Sequence, residues 1–303
     1  MSEIENHLKE ARPNLSSGSL RTYVSIIKNL AKQMKQEFNT PKDVVKHYKE
    51  IIAHLKEVAP RLRKTRLAGL VVFISKTDGN ETAIEKFREL MMDDKKEAEE
   101  EVKEQKLSDR QREGWMTWDE VEGKYNELKR DVAHLWKKPS LDKREFQKLQ
   151  LFVLLSLITL IPPRRSLDWT AFKLKDVDEE KDNHLTYEKR KPVFVFVTYK
   201  TRKTNGVQRE PIPPALHAVM KQWMKVNPHA HLLMNYNQTA GMNQTQLTQL
   251  LHGFFGKPVS TSLLRHIYLT GKYGNIPALK EMEKTAEAMG HSVSEALQYV
   301  KKE

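Results

Sequence analysis

VFVFVTYKTRKTNGVQREPI, residues 193–212, is the stretch that decides the fold class. Val193 to Tyr199 is β-branched and aromatic, the composition that favours a pleated strand. Asn205-Gly206 reads as a tight turn, and Val207 to Ile212 reads as the returning strand. No other segment carries as good a strand signal. Downstream, Pro213-Pro214 opens a helix through Ala215 to Val226, and further helices are expected at about 243–254, 260–272, 276–289 and 292–302. Upstream, LFVLLSLITLI (Leu151 to Ile161) is the most apolar run. It is too short to span a bilayer and reads as a buried core helix over about 141–161, stopped by Pro162-Pro163. A helix at about 117–137 precedes it. The expected class is α+β, mostly α, with one small hairpin or sheet.

The N-terminal third reads as helices alone. Leu20, Tyr23, Ile26, Ile27, Leu30 and Met34 recur at helical spacing within Ser17 to Phe38. Thr40-Pro41 is an N-cap followed by proline at the first helical position, and the helix runs on through Leu55. Others are expected from Leu62 to Ser75 and from Glu81 to Met92. From Asp93 the chain becomes almost wholly charged, read as a solvated helix or a mobile linker. Thr117 to Glu120 forms a capping-box pattern. Three parts follow: a helical domain over 1–92, a charged linker over 93–114 and a second domain over 115–303.

The 303 residues include 52 Lys and Arg against 40 Asp and Glu, a formal charge of +12. Such a balance suits a polyanionic partner, because phosphate contacts release condensed counterions. Charge alone decides nothing, since many basic proteins bind no nucleic acid. The absence of cysteine excludes disulfides, thiolate metal sites and a cysteine nucleophile. The charged start, MSEIENHLKEARPN, is not that of a secretory signal. No membrane partner, metal or other cofactor is expected.

Four signals in the second domain bear on chemistry. Arg164 and Arg165 follow Pro162-Pro163 at the end of the apolar helix. As plain structure they are exposed arginines at a helix terminus. As chemistry, a guanidinium held there is a pre-placed fork for phosphate, with Asp168 orienting it or capping the next helix. The hairpin turn carries Lys200, Arg202 and Lys203, either a solvated basic turn or a lysine aimed into a DNA groove. Ser260 to Tyr268 reads as a capped helix start, with Arg265 either on its surface or acting as a second phosphate clamp. Gly290-His291-Ser292 reads as a helix end and a new start. Tyr299 follows, either an ordinary half-buried aromatic or a phenolic nucleophile.

In this order, the four signals resemble the signature of the tyrosine recombinase (integrase) family, over roughly residues 115–303. The PPRR segment and the YKTRKTNG hairpin look most like the branch found in large DNA viruses, virophages and related mobile elements. The resemblance implies Tyr299 as nucleophile, Arg165 and Arg265 as phosphate clamps, and Lys200 or Lys203 as the acid for the leaving 5′ oxygen. His291 falls on the family's later His or Trp position. Arg165 fits better than Arg164, because an acidic residue follows three positions on (Asp168) and another eight further (Asp176). Ser262 stands where the family usually has His, and it cannot serve as a base near neutral pH. Tyr299 follows His291 by eight residues instead of the commoner nine. Arg164, Arg202, Lys203 and His266 are expected against DNA. The implied activity is site-specific cleavage and rejoining of double-stranded DNA through a 3′-phosphotyrosyl link. The chain is expected to work as a homotetramer on two DNA sites, inside the cell wherever that DNA lies. Two rival expectations are type IB topoisomerase-like relaxation and a DNA-binding protein whose active site has decayed.

Overall fold

A computed structural model describes residues 3–103, 105–274, 276–289 and 292–293. The chain divides into two compact units: 1–106 together with 278–303, and 107–277. In the described residues it is mostly helical with one small antiparallel sheet. No helix of the described residues is long and apolar enough to cross a membrane.

The first unit packs six N-terminal helices: α1 (Glu3–Ala11), α2 (Ser17–Met34), α3 (Pro41–Lys46), α4 (Tyr48–Lys56), α5 (Pro60–Ile74) and α6 (Glu81–Lys103). Leu8, Ile27, Leu30, Phe38, Ile51, Leu67, Phe73 and Phe87 are fully buried between them. α1 is not among the expected helices, although Ile4 and Leu8, four residues apart, form its buried face. The single helix expected after Thr40 is two, broken at His47, whose backbone (φ −105°, ψ 19°) leaves the helical region. Of the two readings of the charged stretch, a solvated helix or a linker, residues 93–103 take the helical one. Residues 93–103 continue α6, because Asp94 is buried and ion-paired to Arg63 of α5. Breaking such a pair from one side leaves an uncompensated buried charge, so the helix cannot be cut there cheaply.

The second unit holds α7 (Asp109–Gly114), α8 (Trp118–Val132), a 3-10 turn (Leu135–Lys137), α9 (Lys143–Thr159), α10 (Ser166–Thr170), strands β1 (His184–Glu188) and β2 (Lys191–Phe196), α11 (Arg202–Asn205), β3 (Gln208–Pro211), α12 (Pro214–Val226), α13 (Gln244–Phe255) and α14 (Thr261–Tyr273). A last helix, α15 (Leu279–Ala288), belongs to the first unit, where Gln105 Oε1 accepts its first N–H at 3.0 Å. It therefore does not extend the second unit, as the expected 115–303 boundary would have it.

The apolar helix α9 is the axis of the second unit, with Phe146 and every residue from Leu149 to Ile158 buried. Its polar members are matched: Gln150 exchanges hydrogen bonds with the backbone of Met234 (2.6 and 3.0 Å), and Ser156 Oγ donates to the Phe152 carbonyl (2.8 Å). The three strands pair antiparallel in the order β1-β2-β3. Phe194 and Phe196 of β2 point to one face and meet Trp169 and Phe172 edge-on. Each such ring withdrawn from water contributes roughly 1.5–3 kcal/mol. This aromatic block fixes the end of β2 against α10, the helix that follows Arg165.

Two expectations about the sheet are corrected. A third strand, β1, precedes β2 through a two-residue turn at Lys189 and Arg190, both at positive φ (47° and 66°). Such a turn usually announces itself through Asn or Gly, so its sequence gave no warning. The predicted strand to Tyr199 ends at Phe196, and Asn205-Gly206 is not a two-residue turn. Residues 197–207 form a longer loop containing α11, and Gly206 (φ 69°, ψ −159°) ends it in a region almost reserved for glycine.

Candidate active site

The site is built where α9 ends and α10 begins. Pro162-Pro163 halts the apolar helix, and the next two arginines take opposite fates. Arg164 turns inward and is 16% exposed. Its Nε donates to Asp168 Oδ2 (2.8 Å), its guanidinium donates to Gln208 Oε1 of β3 (2.7 Å), and its carbon lies 3.8 Å from the centroid of the Phe196 ring. Two of its five N–H donors are hydrogen-bonded and its face lies on the Phe196 ring, so Arg164 ties α10 to the sheet. The family resemblance set Asp168 with Arg165, whereas the structure gives that carboxylate to Arg164.

Arg165 is the N-cap residue of α10, with extended backbone (φ −74°, ψ 155°). Its half-buried guanidinium makes no hydrogen bond or ion pair with any described residue, and the same holds for Arg265 on α14. The two are brought close by Ser166. Its N–H donates to Thr261 Oγ1 (3.2 Å), at the start of α14, and its hydroxyl donates to Gln244 Oε1 (3.1 Å), at the start of α13. Desolvation lowers Arg265 below the usual guanidinium value, and repulsion from Arg165 lowers it further. Burial pushes Asp168 above the ordinary carboxylate range, against the pull of Arg164, Arg165 and Arg265. One oxygen of Asp168, Oδ1, is buried without a hydrogen-bond partner.

Two half-buried cations that repel each other, while the carboxylate that attracts them, Asp168, is ion-paired to Arg164, are costly to hold. Helix starts at α13 and α14 add partial positive charge to the same place. An anion with several oxygens would relieve that cost.

The loop that leaves β2 carries the other cations. Tyr199 is buried and its hydroxyl donates to the Gly206 carbonyl (2.7 Å), closing the loop at its root. Lys200, Arg202 and Lys203 are exposed, and their side chains make no hydrogen bond or ion pair with described residues. Arg164 lies 5.9 Å from the Tyr199 ring centroid, so the loop root and the arginine segment share one scaffold. Ser262 and His266 are exposed on α14, one turn before and one residue after Arg265, with no partner among described residues. His291 and Tyr299 lie outside the described residues.

Several residues that shape the site carry no sequence signal. Gln208, Thr261 and Gln244 are ordinary polar residues until the fold sets them against Arg164 and Ser166. Asn183 is another, and it is buried. The chain matches no known family model and no curated protein.

Proposed function

We propose that this protein cuts and rejoins DNA at specific sites through a phosphotyrosyl intermediate, in the manner of a tyrosine recombinase. The observation that carries the reading is the Arg165–Arg265 pair: two half-buried arginines without a hydrogen bond or ion pair among the described residues, on segments joined by the Ser166–Thr261 hydrogen bond. That arrangement is costly for a bare protein and suits a phosphodiester. The surplus of 12 positive charges supports the same kind of ligand.

In the proposed reaction, the Tyr299 oxygen attacks phosphorus as the bond to the 5′ oxygen breaks. The phenol proton passes to a base of the site, with His291 the assigned candidate. Lys200 or Lys203 protonates the departing 5′ oxygen. Arg165 and Arg265 stabilise the extra charge on the five-coordinate phosphorus. A 5′ hydroxyl of another strand then reverses the step, so the ester bond energy is kept and no nucleotide need be hydrolysed. The substrate is double-stranded DNA, held by a homotetramer on two sites, with residues 1–92 as a helical clamp. Arg164 serves this site from behind as a brace, while Arg202, Lys203 and His266 are free to meet the DNA backbone.

Ser262 favours one rival specifically, a binding protein with a decayed active site, because serine supplies no base. The deciding experiment mixes the protein with nicked duplexes from the DNA flanking its gene, then boils the mixture in detergent. A protein–DNA adduct is expected, and it should be absent for Tyr299→Phe. An adduct that survives in that variant contradicts the assignment of the nucleophile. No adduct with the unaltered protein would favour the decayed reading. Relaxation of supercoiled plasmid without recombinant products would point to the topoisomerase.

A further inference from the structure

The tie between the arginine segment and the basic loop runs through a side chain that no motif contains. Asn183 is fully buried. Its Nδ2 donates to the carbonyls of Asp168 (2.8 Å) and Thr198 (2.8 Å). Its Oδ1 accepts from the N–H groups of Val197 (2.8 Å) and Thr198 (2.7 Å). An amide side chain has two donor hydrogens and two acceptor lone pairs, so all four are used. Its own backbone is engaged as well: the N–H donates to the Ala171 carbonyl (3.2 Å), and the carbonyl accepts from Lys173 (2.7 Å).

The position of these bonds matters more than their number. β2 stops pairing at Phe196, the last residue opposite β3. At residues 197 and 198 the amide of Asn183 serves in place of a neighbouring strand. Lys200 is two residues beyond that anchor, and Arg165 is three residues before Asp168, the other end of the same tie. The arginine pair, by contrast, is joined through Ser166 and Thr261, with no atom of Asn183 involved.

We propose that Asn183 is a positioning residue that sets the direction in which the basic loop leaves the sheet, and so aims its lysine at the leaving oxygen. This rests on the proposed strand-cleavage reading. When the bond from phosphorus to the 5′ oxygen breaks, that oxygen keeps the electron pair and must gain a proton, here from the lysine ammonium. With sulfur in place of the bridging 5′ oxygen, a thiolate departs and needs no proton near neutral pH, because thiols are far more acidic than alcohols. Loss of Asn183 should therefore injure cleavage of the oxygen ester and spare the sulfur ester.

The test measures single-turnover cleavage of both esters by the full chain, by Asn183→Ala, and by Lys200→Ala and Lys203→Ala. Thermal melting confirms folding, and Asn183→Ser, which keeps one donor, replaces the alanine variant should it not fold. Asn183→Ala should lose about 10²-fold on the oxygen ester, the usual worth of a general acid, and stay within about threefold on the sulfur ester. One lysine variant should show the same pattern. Amide exchange should speed up at Val197 and Thr198 while Val193 to Phe196 stay protected. Equal losses on both esters, or no loss on either, would overturn the inference. Failure of the unaltered protein to cleave either ester would instead defeat the strand-cleavage reading, and this inference with it.

Discussion

Arg164 and Arg165 are adjacent and chemically identical, yet they do different work. What separates them is Phe196 and Gln208, from distant segments of the chain, and Asp168, four residues after Arg164. Arg164→Ala should lower stability by roughly 1.5–3 kcal/mol, the range for hydrogen bonds to charged groups, because it also leaves Asp168 buried and unpaired. Arg165→Ala and Arg265→Ala should leave stability unchanged or raise it, since each removes one of two repelling charges. Each should lower adduct formation by about 10²–10³-fold, as loss of one transition-state donor does. Urea unfolding together with the adduct assay separates the two outcomes. Asp168 gives a pH signature. Its folded pKa is raised by burial, so its favourable contribution is present in acid and fades as pH rises through that folded value. The unfolding free energy of Asp168→Asn, relative to the unaltered protein, should therefore rise from pH 3 toward pH 7. A difference that falls over this range would mean the carboxylate is held below its ordinary value. The family resemblance singled out Arg165 by its distance to Asp168, but the carboxylate goes to Arg164, four residues before it, which Phe196 and Gln208 hold in place.

At the scale of elements, the legible features were those with a local cause. The helix α9 is visible as an apolar run with a Pro-Pro stop. Three capping boxes, at Thr117, Asp142 and Asn243, satisfy N–H groups at the starts of α8, α9 and α13, and the first of these was readable. β1 was not, because Lys189 and Arg190 accept positive φ without the usual turn residues. The loop at 197–207 was misread for the opposite reason: Asn205-Gly206 has the chemistry of a tight turn but ends α11 instead. Gly206 nonetheless remains the residue that permits the loop to close. Gly206→Ala should destabilise by roughly 1–3 kcal/mol, the cost of a side chain in that backbone region. Tyr199→Phe, which removes the hydroxyl bond to the Gly206 carbonyl, should cost about 1 kcal/mol. Amide exchange near Gly206 should rise in both variants while β1 and β2 are unaffected. Unchanged exchange around the loop would mean that its root is held by something other than this bond.

Across the whole molecule, the sequence disclosed a helical first part, a mixed second part and a charged stretch between them. It left residues 93–103 open between a helix and a linker, and did not disclose that α15 packs with the first unit, because both depend on contacts between distant segments. The functional account depends on a smaller region, where three sequence-distant segments meet: the residues after α9, the root of the basic loop and the start of α14. Its central claim is that Arg165 and Arg265 hold one DNA phosphate while Arg164 braces the scaffold. The most direct measurement follows the arginine Nε–Hε resonances, assigned by single substitutions, as a short DNA duplex is titrated into the protein. The account predicts that Arg165 and Arg265 shift together along one binding curve and that Arg164 stays in place. Duplex binding that leaves both signals unmoved, or that moves Arg164 alone, would contradict it.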